Sequence, residues 1–181
     1  VIESVEILKG KTSGDLWTVC RELSCRMLML AGIGDKDECG RLVDEAVESG
    51  EALKRFEMMV KLQGGDVSYI EDTSKFRKAS FSREVYAPAD GYITHMDSEK
   101  IGLTAVLLGA GREKKDDDIN HAAGIIIAAK TGDFVKRGEL LATLLADDES
   151  RLDGAESRYL SAVSIGDKKP AEQPMILDYI D

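Results

Sequence analysis

Proline is scarce in this sequence, with three residues in 181, and cysteine (three), histidine (two) and tryptophan (one) are as rare or rarer. There is no Pro-rich linker and no low-complexity tract, so disorder is expected only at loops and at the far terminus. The cysteines Cys20, Cys25 and Cys39 are odd in number and fall in helix-like segments. That suits reduced thiols in a cytoplasmic protein better than a disulfide framework or a zinc site. No apolar run approaches the ~20 residues of a membrane span, and the first residues have neither the basic region nor the apolar stretch of a signal peptide. Positive charge is in deficit: the net charge is -10 and no Lys/Arg cluster offsets it, so no nucleic acid and no membrane is expected as a partner.

What is present is the composition of a globular protein, 43% hydrophobic and 32% charged, long enough for one ordinary domain or two small ones. The chain starts at Val1, inside an amphipathic pattern, and a preceding segment is expected. Val1, Val5 and Leu8 share one helical face as far as Gly10. After the turn-like Thr12-Ser13-Gly14, Asp15 is expected to cap a helix with Leu16, Val19, Cys20, Leu23, Met27 and Leu30 in one stripe. Trp17, Cys25, Leu28 and Met29 lie off that stripe, which predicts cover on a second side, either from the rest of this chain or from a further segment. Asp35 with Glu38 reads as a capping box ahead of Cys39, Leu42, Val43, Ala46 and Val47. Another helix begins near Glu51, with Leu53, Phe56, Met59 and Val60 inward, and stops at Gly64-Gly65. Cys20 and Cys39 read as small core residues.

The pattern lapses over 66–79 and then changes character. Segments 84–87, 91–96, 124–129 and 139–145 are strand-like. Ser98 is expected to cap a helix reaching about Leu108, a further helix fits 149–162, and 175–180 reads as a closing strand. The expected fold class is therefore α+β, with a helical segment over 1–75 and an α+β domain over 76–181. Gly132-Asp133-Phe134-Val135-Lys136-Arg137-Gly138-Glu139, preceded by Ala87-Pro88-Ala89-Asp90-Gly91-Tyr92, is similar to the half-motif of biotinyl and lipoyl carrier domains. That likeness implies a small mixed sheet of the barrel-sandwich or hammerhead type. A carrier or interaction module is the alternative function, but no Met-Lys-Met or Asp-Lys-Ala setting for a modifiable lysine occurs.

A second resemblance runs through residues 1–146. Leu8-Lys9-Gly10, Met27-Leu28-Met29-Leu30-Ala31-Gly32, Ser49-Gly50-Glu51-Ala52-Leu53, Gln63-Gly64-Gly65-Asp66, Ala87-Pro88-Ala89-Asp90-Gly91-Tyr92, Ile101-Gly102, Leu108-Gly109-Ala110-Gly111-Arg112 and Gly132-Asp133 with Gly138-Glu139 follow one another in order. Together they resemble the C-terminal half of thymidine and pyrimidine-nucleoside phosphorylases. The resemblance implies a homodimeric pentosyltransferase that uses phosphate to split thymidine or uridine into base and pentose 1-phosphate. On that reading residues 1–75 are the tail of the phosphate-binding α/β domain and 76–181 the C-terminal domain. The phosphate loop and the base-gripping residues then belong upstream. No catalytic or substrate-binding residue is assigned here, and the chain alone is expected to be inert.

Three further expectations follow from the resemblance. The glycine-rich run with Gly109, Gly111, Arg112, Lys114 and Lys115 is the mobile loop that folds over the active cleft. The run has no Walker spacing, and Asp116 to Asp118 disfavour an anion site. Glu3 is the position that would ligate a potassium or similar monovalent cation, with the other oxygens supplied from upstream, and no cofactor is expected on this piece alone. The partners are the preceding portions of the same polypeptide and a second copy. His95 and His121 have no partner at ligand spacing and read as ordinary surface residues. Trp17, Leu28 and Met29 are expected to form an exposed apolar patch if a further segment normally covers them.

Overall fold

The computed structural model describes residues 1–11, 14–112 and 114–179. Thr12 and Ser13 of the expected turn, Glu113 of the glycine-rich run and Ile180 of the expected closing strand lie outside the described residues. The chain divides into two compact units, one of Val1–Phe76 with Gln173–Asp181, the other of Arg77–Glu172. The tail from Gln173 onward thus clusters with the helical unit, whereas the sequence reading placed it at the end of the second. Among the described residues no helix is long and apolar enough to cross a membrane.

The first unit is built from α1 (Ile2–Leu8), α2 (Asp15–Leu30), α3 (Lys36–Glu48), α4 (Glu51–Leu62) and a single turn, α5 (Ser68–Glu71). The start of α3 is explained locally: the Asp35 carboxylate accepts from the Glu38 N–H at 2.9 Å, satisfying a donor that has no partner inside the helix. Asp35→Ala is expected to cost about 1 kcal/mol, measurable as a lower urea midpoint with unchanged slope. At α2 the expectation needs correction. Gly14 occupies the cap position and Asp15 is the first helical residue. From there its carboxylate complements the helix dipole.

Arg21 of α2 grips Asp44 of α3 bidentately, with Nε to Oδ1 and Nη2 to Oδ2 both 2.6 Å, and the guanidinium holds that carboxyl below the usual range. The stripe expected on α2 does not face inward. Leu23, Met27 and Leu30 are 58%, 62% and 89% exposed, Cys20 is exposed, and the buried residue is Cys25. Spacing identified an amphipathic helix but not which face this chain covers. Cys25 lies against the start of α3, its thiol donating to the Lys36 carbonyl at 3.4 Å, while Cys39 is fully buried as expected.

The second unit holds β1 (Phe81–Tyr86), β2 (Gly91–Met96), α6 (Ser98–Ala105), β3 (Gly124–Ile127), β4 (Phe134–Val135), β5 (Leu140–Ala146), α7 (Ser150–Ala162) and β6 (Val163–Gly166). The expected mixed sheet is instead two three-stranded sheets, ordered β1-β5-β3 and β4-β2-β6, and every pairing in them is antiparallel. β5 is the centre of the first, with Phe81 opposite Ala146 and Gly124 opposite Leu145. Its sequence Leu-Leu-Ala-Thr-Leu-Leu-Ala is almost continuously apolar because both of its faces are covered. β2 is the centre of the second, and the strand closing it is β6. Met175 to Tyr179, expected to be that strand, form none.

Two smaller corrections concern α6. The capping residue is Asp97, accepting from the Lys100 N–H at 3.1 Å, and not Ser98. The regular helix also ends at Ala105, where a wider π turn, Val106–Ala110, takes over. The core between the sheets and α7 is made by Val85, Ile93, Leu108, Leu141, Leu144 and Tyr159, with Leu152 and Ala155 of α7 beside them.

Candidate functional site

The glycine-rich loop grows directly out of α6. Leu108 is buried and anchors its first turn, while Gly109 sits at φ +107° and ψ +4°, a conformation that a side chain disfavours. Gly111 is extended, but a Cβ there would stand 2.7 Å from Cγ2 of Val106. Arg112, Lys114 and Lys115 are exposed. Beyond them a tight turn forms: the Asp117 carboxylate accepts from the Lys114 N–H at 2.8 Å, and the Asp117 N–H donates to the Lys114 carbonyl at 3.1 Å. The aspartates that the sequence reading counted against an anion site therefore include one that shapes the loop.

The loop is closed at its base by Asn120. Its backbone N–H donates to the Gly109 carbonyl at 2.9 Å, its Oδ1 accepts from the Ala122 N–H at 3.0 Å, and its Nδ2 donates to Oδ2 of Asp147 at 2.7 Å. Asp147 follows the end of β5, and its Oδ1 accepts from the Ser80 N–H at 2.8 Å and the Ser80 hydroxyl at 2.9 Å. Arg77 also reaches Oδ2. The Ser80 backbone N–H, then its hydroxyl, followed by Asn120 and Arg77, hold the Asp147 carboxyl below its ordinary 3.8, against an opposing effect of burial. A depressed carboxyl stabilises the fold above its unfolded value and loses that contribution as pH falls through the folded one. Amide exchange at Ser80 and Ala122 is therefore expected to accelerate below about pH 4 relative to the rest of the unit, after correction for the intrinsic pH dependence of exchange.

Arg151 of α7 completes this region. Its Nη1 donates to the Leu107 carbonyl at 3.3 Å, and its Nε lies 3.6 Å from the Asp148 carboxylate. With Val106, Gly109, Gly111, Lys114 and Asp118 it borders a cleft of about 580 Å3. The cleft mixes cationic and anionic groups and offers hydrogen bonding. Asn120, Asp147 and Arg151 were missed by the sequence reading. The one available signal was the Asn-x-Ala start of an Asx turn at Asn120.

The helical unit has a separate feature, an open apolar groove of about 620 Å3 bordered by Leu8, Leu16, Trp17, Met27, Val43 and Val47. The expected apolar patch exists with changed membership: Trp17, Leu28 and Met29 are half-buried, and the bare residues are Leu23, Met27 and Leu30. At 58% to 89% exposure these three are expected to make the chain self-associate, read as a concentration-dependent mass in light scattering. A single monomeric mass at all concentrations would count against it.

Glu3 lies exposed in the first turn of α1. Among the described residues no three His, Cys, Asp or Glu side chains converge as a metal-binding group, so Glu3 supplies one carboxylate where a hard cation needs several oxygens. His95 on β2 and His121 in the loop are exposed and stand in no such group.

Two antiparallel sheets, a covering helix and a glycine-based loop define an α+β domain. Residues 92–166, from Tyr92 in β2 to the end of β6, match the family described as the pyrimidine nucleoside phosphorylase C-terminal domain. The chain is also similar to curated enzymes named pyrimidine-nucleoside phosphorylase. It is 38% identical to that of Bacillus subtilis over 151 residues, 83% of this chain and 35% of the relative. It is 35% identical to one from Staphylococcus aureus over 166 residues, 91% of this chain and 38% of the relative. To that of Geobacillus stearothermophilus it is 32% identical over 178 residues, 98% of this chain and 41% of the relative. The chain carries the C-terminal domain of the pyrimidine-nucleoside phosphorylase family, and it spans well under half the length of these relatives.

Proposed function

We propose that this chain serves as the C-terminal part of a pyrimidine-nucleoside phosphorylase, a pentosyltransferase that passes the pentose of thymidine or uridine to inorganic phosphate. The supporting observation is the likeness to enzymes of that name over 83% to 98% of the chain. In this reading the chemistry of bond cleavage belongs to the preceding portions of the polypeptide, which are also the partners of the apolar groove, and the working enzyme is a homodimer. The second unit contributes the loop of Gly109, Gly111, Arg112, Lys114 and Lys115, which folds over the cleft and limits water around the reacting sugar. Glu3 gives one carboxylate to a potassium-like cation whose remaining oxygens come from elsewhere. The enzyme works in the cytoplasm, as the acidic balance and three unpaired thiols suggest.

The test is phosphorolysis with thymidine and with uridine. The 181-residue chain alone is expected to release no base above buffer, and the complete enzyme to release base and pentose 1-phosphate. Turnover by the chain alone would refute the division of labour, and an inactive complete enzyme would refute the activity.

A further inference from the structure

We propose that Asn120 is a positioning residue for the glycine-rich loop, and that through the loop it sets the affinity of the complete enzyme for its substrates. The proposal rests on the cleft-covering role of the loop given above. The chain leaves the π turn at Gly109 and comes back at Asn120, where the two ends are tied by the Asn120 N–H to the Gly109 carbonyl at 2.9 Å. A backbone bond at the neck of a surface loop is open to competition from water, so its persistence depends on what holds the returning residue.

The side chain does that holding, and its chemistry admits one orientation. Oδ1 faces a donor, the Ala122 N–H, and Nδ2 faces an acceptor, Oδ2 of Asp147; a flipped amide would oppose donor to donor and acceptor to acceptor. Asp147 is itself fixed, because Ser80 occupies its Oδ1 twice, and Oδ2 is shared between Asn120 and the exposed Arg77. The neck also meets α7: a Cβ at Gly109 would stand in ordinary contact with the Asn120 Cβ at 3.6 Å and the Arg151 guanidinium at 3.5 Å. One amide therefore couples the loop to the end of β5, through a charge-assisted bond stronger than the neutral ones around it.

Polarity reversal separates this role from mere packing. Asn120→Asp keeps the shape and the acceptor for Ala122 but sets a carboxylate against Asp147. Adding Asp147→Asn restores the bond in the opposite sense. The amide then at position 147 retains an oxygen for Ser80 and presents its nitrogen to the carboxylate at position 120, at the cost of the exposed ion pair that Arg77 makes to Oδ2, a contact of little worth at the surface.

In the complete phosphorylase, two readouts are compared for the wild type, Asn120→Asp and the double variant: the rate of tryptic cleavage after Lys114 and Lys115, and the KM and kcat for thymidine and phosphate. The single variant is expected to be cleaved about tenfold faster and to show KM raised about tenfold, with kcat within about twofold, matching the loss of one charge-assisted bond. The double variant is expected to lie within about twofold of the wild type in both. Wild-type cleavage in the single variant, or a double variant as loose as the single, overturns the role of Asn120. Faster cleavage with unchanged KM leaves the Asn120 tie standing and overturns its effect on affinity together with the cleft-covering role. Absence of phosphorolysis in the wild type strikes the proposed activity, while the cleavage rates still decide the tie.

Discussion

Gly91→Ala is expected to destabilise the second unit by about 2–6 kcal/mol, and the expectation separates into two parts. Gly91 sits at φ +151°, in a region that side chains rarely adopt, and forcing alanine there costs about 1–3 kcal/mol. The added Cβ would also lie 2.7 Å from Cγ2 of Ile165 and 2.9 Å from the Gly166 carbonyl oxygen. Ile165 can shift its side chain, but Gly166 is paired with Tyr92 and cannot retreat without opening the ladder between β2 and β6. That overpacking adds about 1–3 kcal/mol. Gly124 offers a matched control, since it has φ +153° and nothing within 4 Å of a built Cβ. Gly124→Ala should then show the conformational cost alone, about 1–3 kcal/mol. Urea unfolding of the two variants reads the difference, and equal losses would mean that the close approach of β6 contributes nothing.

Gly91 was visible in the sequence as part of Ala87-Pro88-Ala89-Asp90-Gly91-Tyr92, and the turn chemistry of that word was legible because it is local. Much else of the same kind was legible too. The Asp35 cap, the end of α3 at Ser49-Gly50, β2 over Gly91–Met96 and the last helix up to Ala162 are each decided by a few neighbouring residues. The failures share a different cause. Leu23, Met27 and Leu30 form a regular apolar stripe, yet which stripe a chain covers is settled by what packs on it, and periodicity is silent on that. Residues 175–180 read as a strand by composition, but β6 already lies beside β2, and the described part of that stretch instead sets Tyr179 beneath the Arg26 guanidinium, 3.9 Å from the ring centre.

The candidate site divides along the same line. Its glycines announce themselves, because Gly109 and Gly111 answer a local backbone demand. Asn120 and Asp147 do not, since they are 27 positions apart in sequence and the pairing of β3 with β5 brings them together. The neck is tied through Asn120 while Arg112, Lys114 and Lys115 stand exposed, the construction that the proposed cleft-covering role calls for.

Tyr159 is the largest fully buried side chain among the described residues, and Tyr159→Ala is expected to cost about 3–5 kcal/mol. The ring has no solvent exposure and lies on α7 within the core that Leu141, Leu144 and Ile93 complete, so removing it leaves a cavity that the two sheets cannot collapse to fill. The hydroxyl contributes little. Its bond to the Leu141 carbonyl is 3.5 Å long, and that carbonyl already accepts from the N–H groups of Ala128 at 2.9 Å and Ala129 at 3.3 Å. Tyr159→Phe should therefore remain within about 1 kcal/mol of the wild type, because it deletes a weak donor and leaves its acceptor satisfied. Burial also raises the phenol above its ordinary value, so the hydroxyl stays neutral through the physiological range. Hydrogen exchange at the β5 amides reads the second unit directly, and the fluorescence of Trp17, in α2, reads the helical one. The alanine variant is expected to lose protection in β5 while the phenylalanine variant keeps it. If phenylalanine proves as damaging as alanine, the hydroxyl and not the ring is what the core requires.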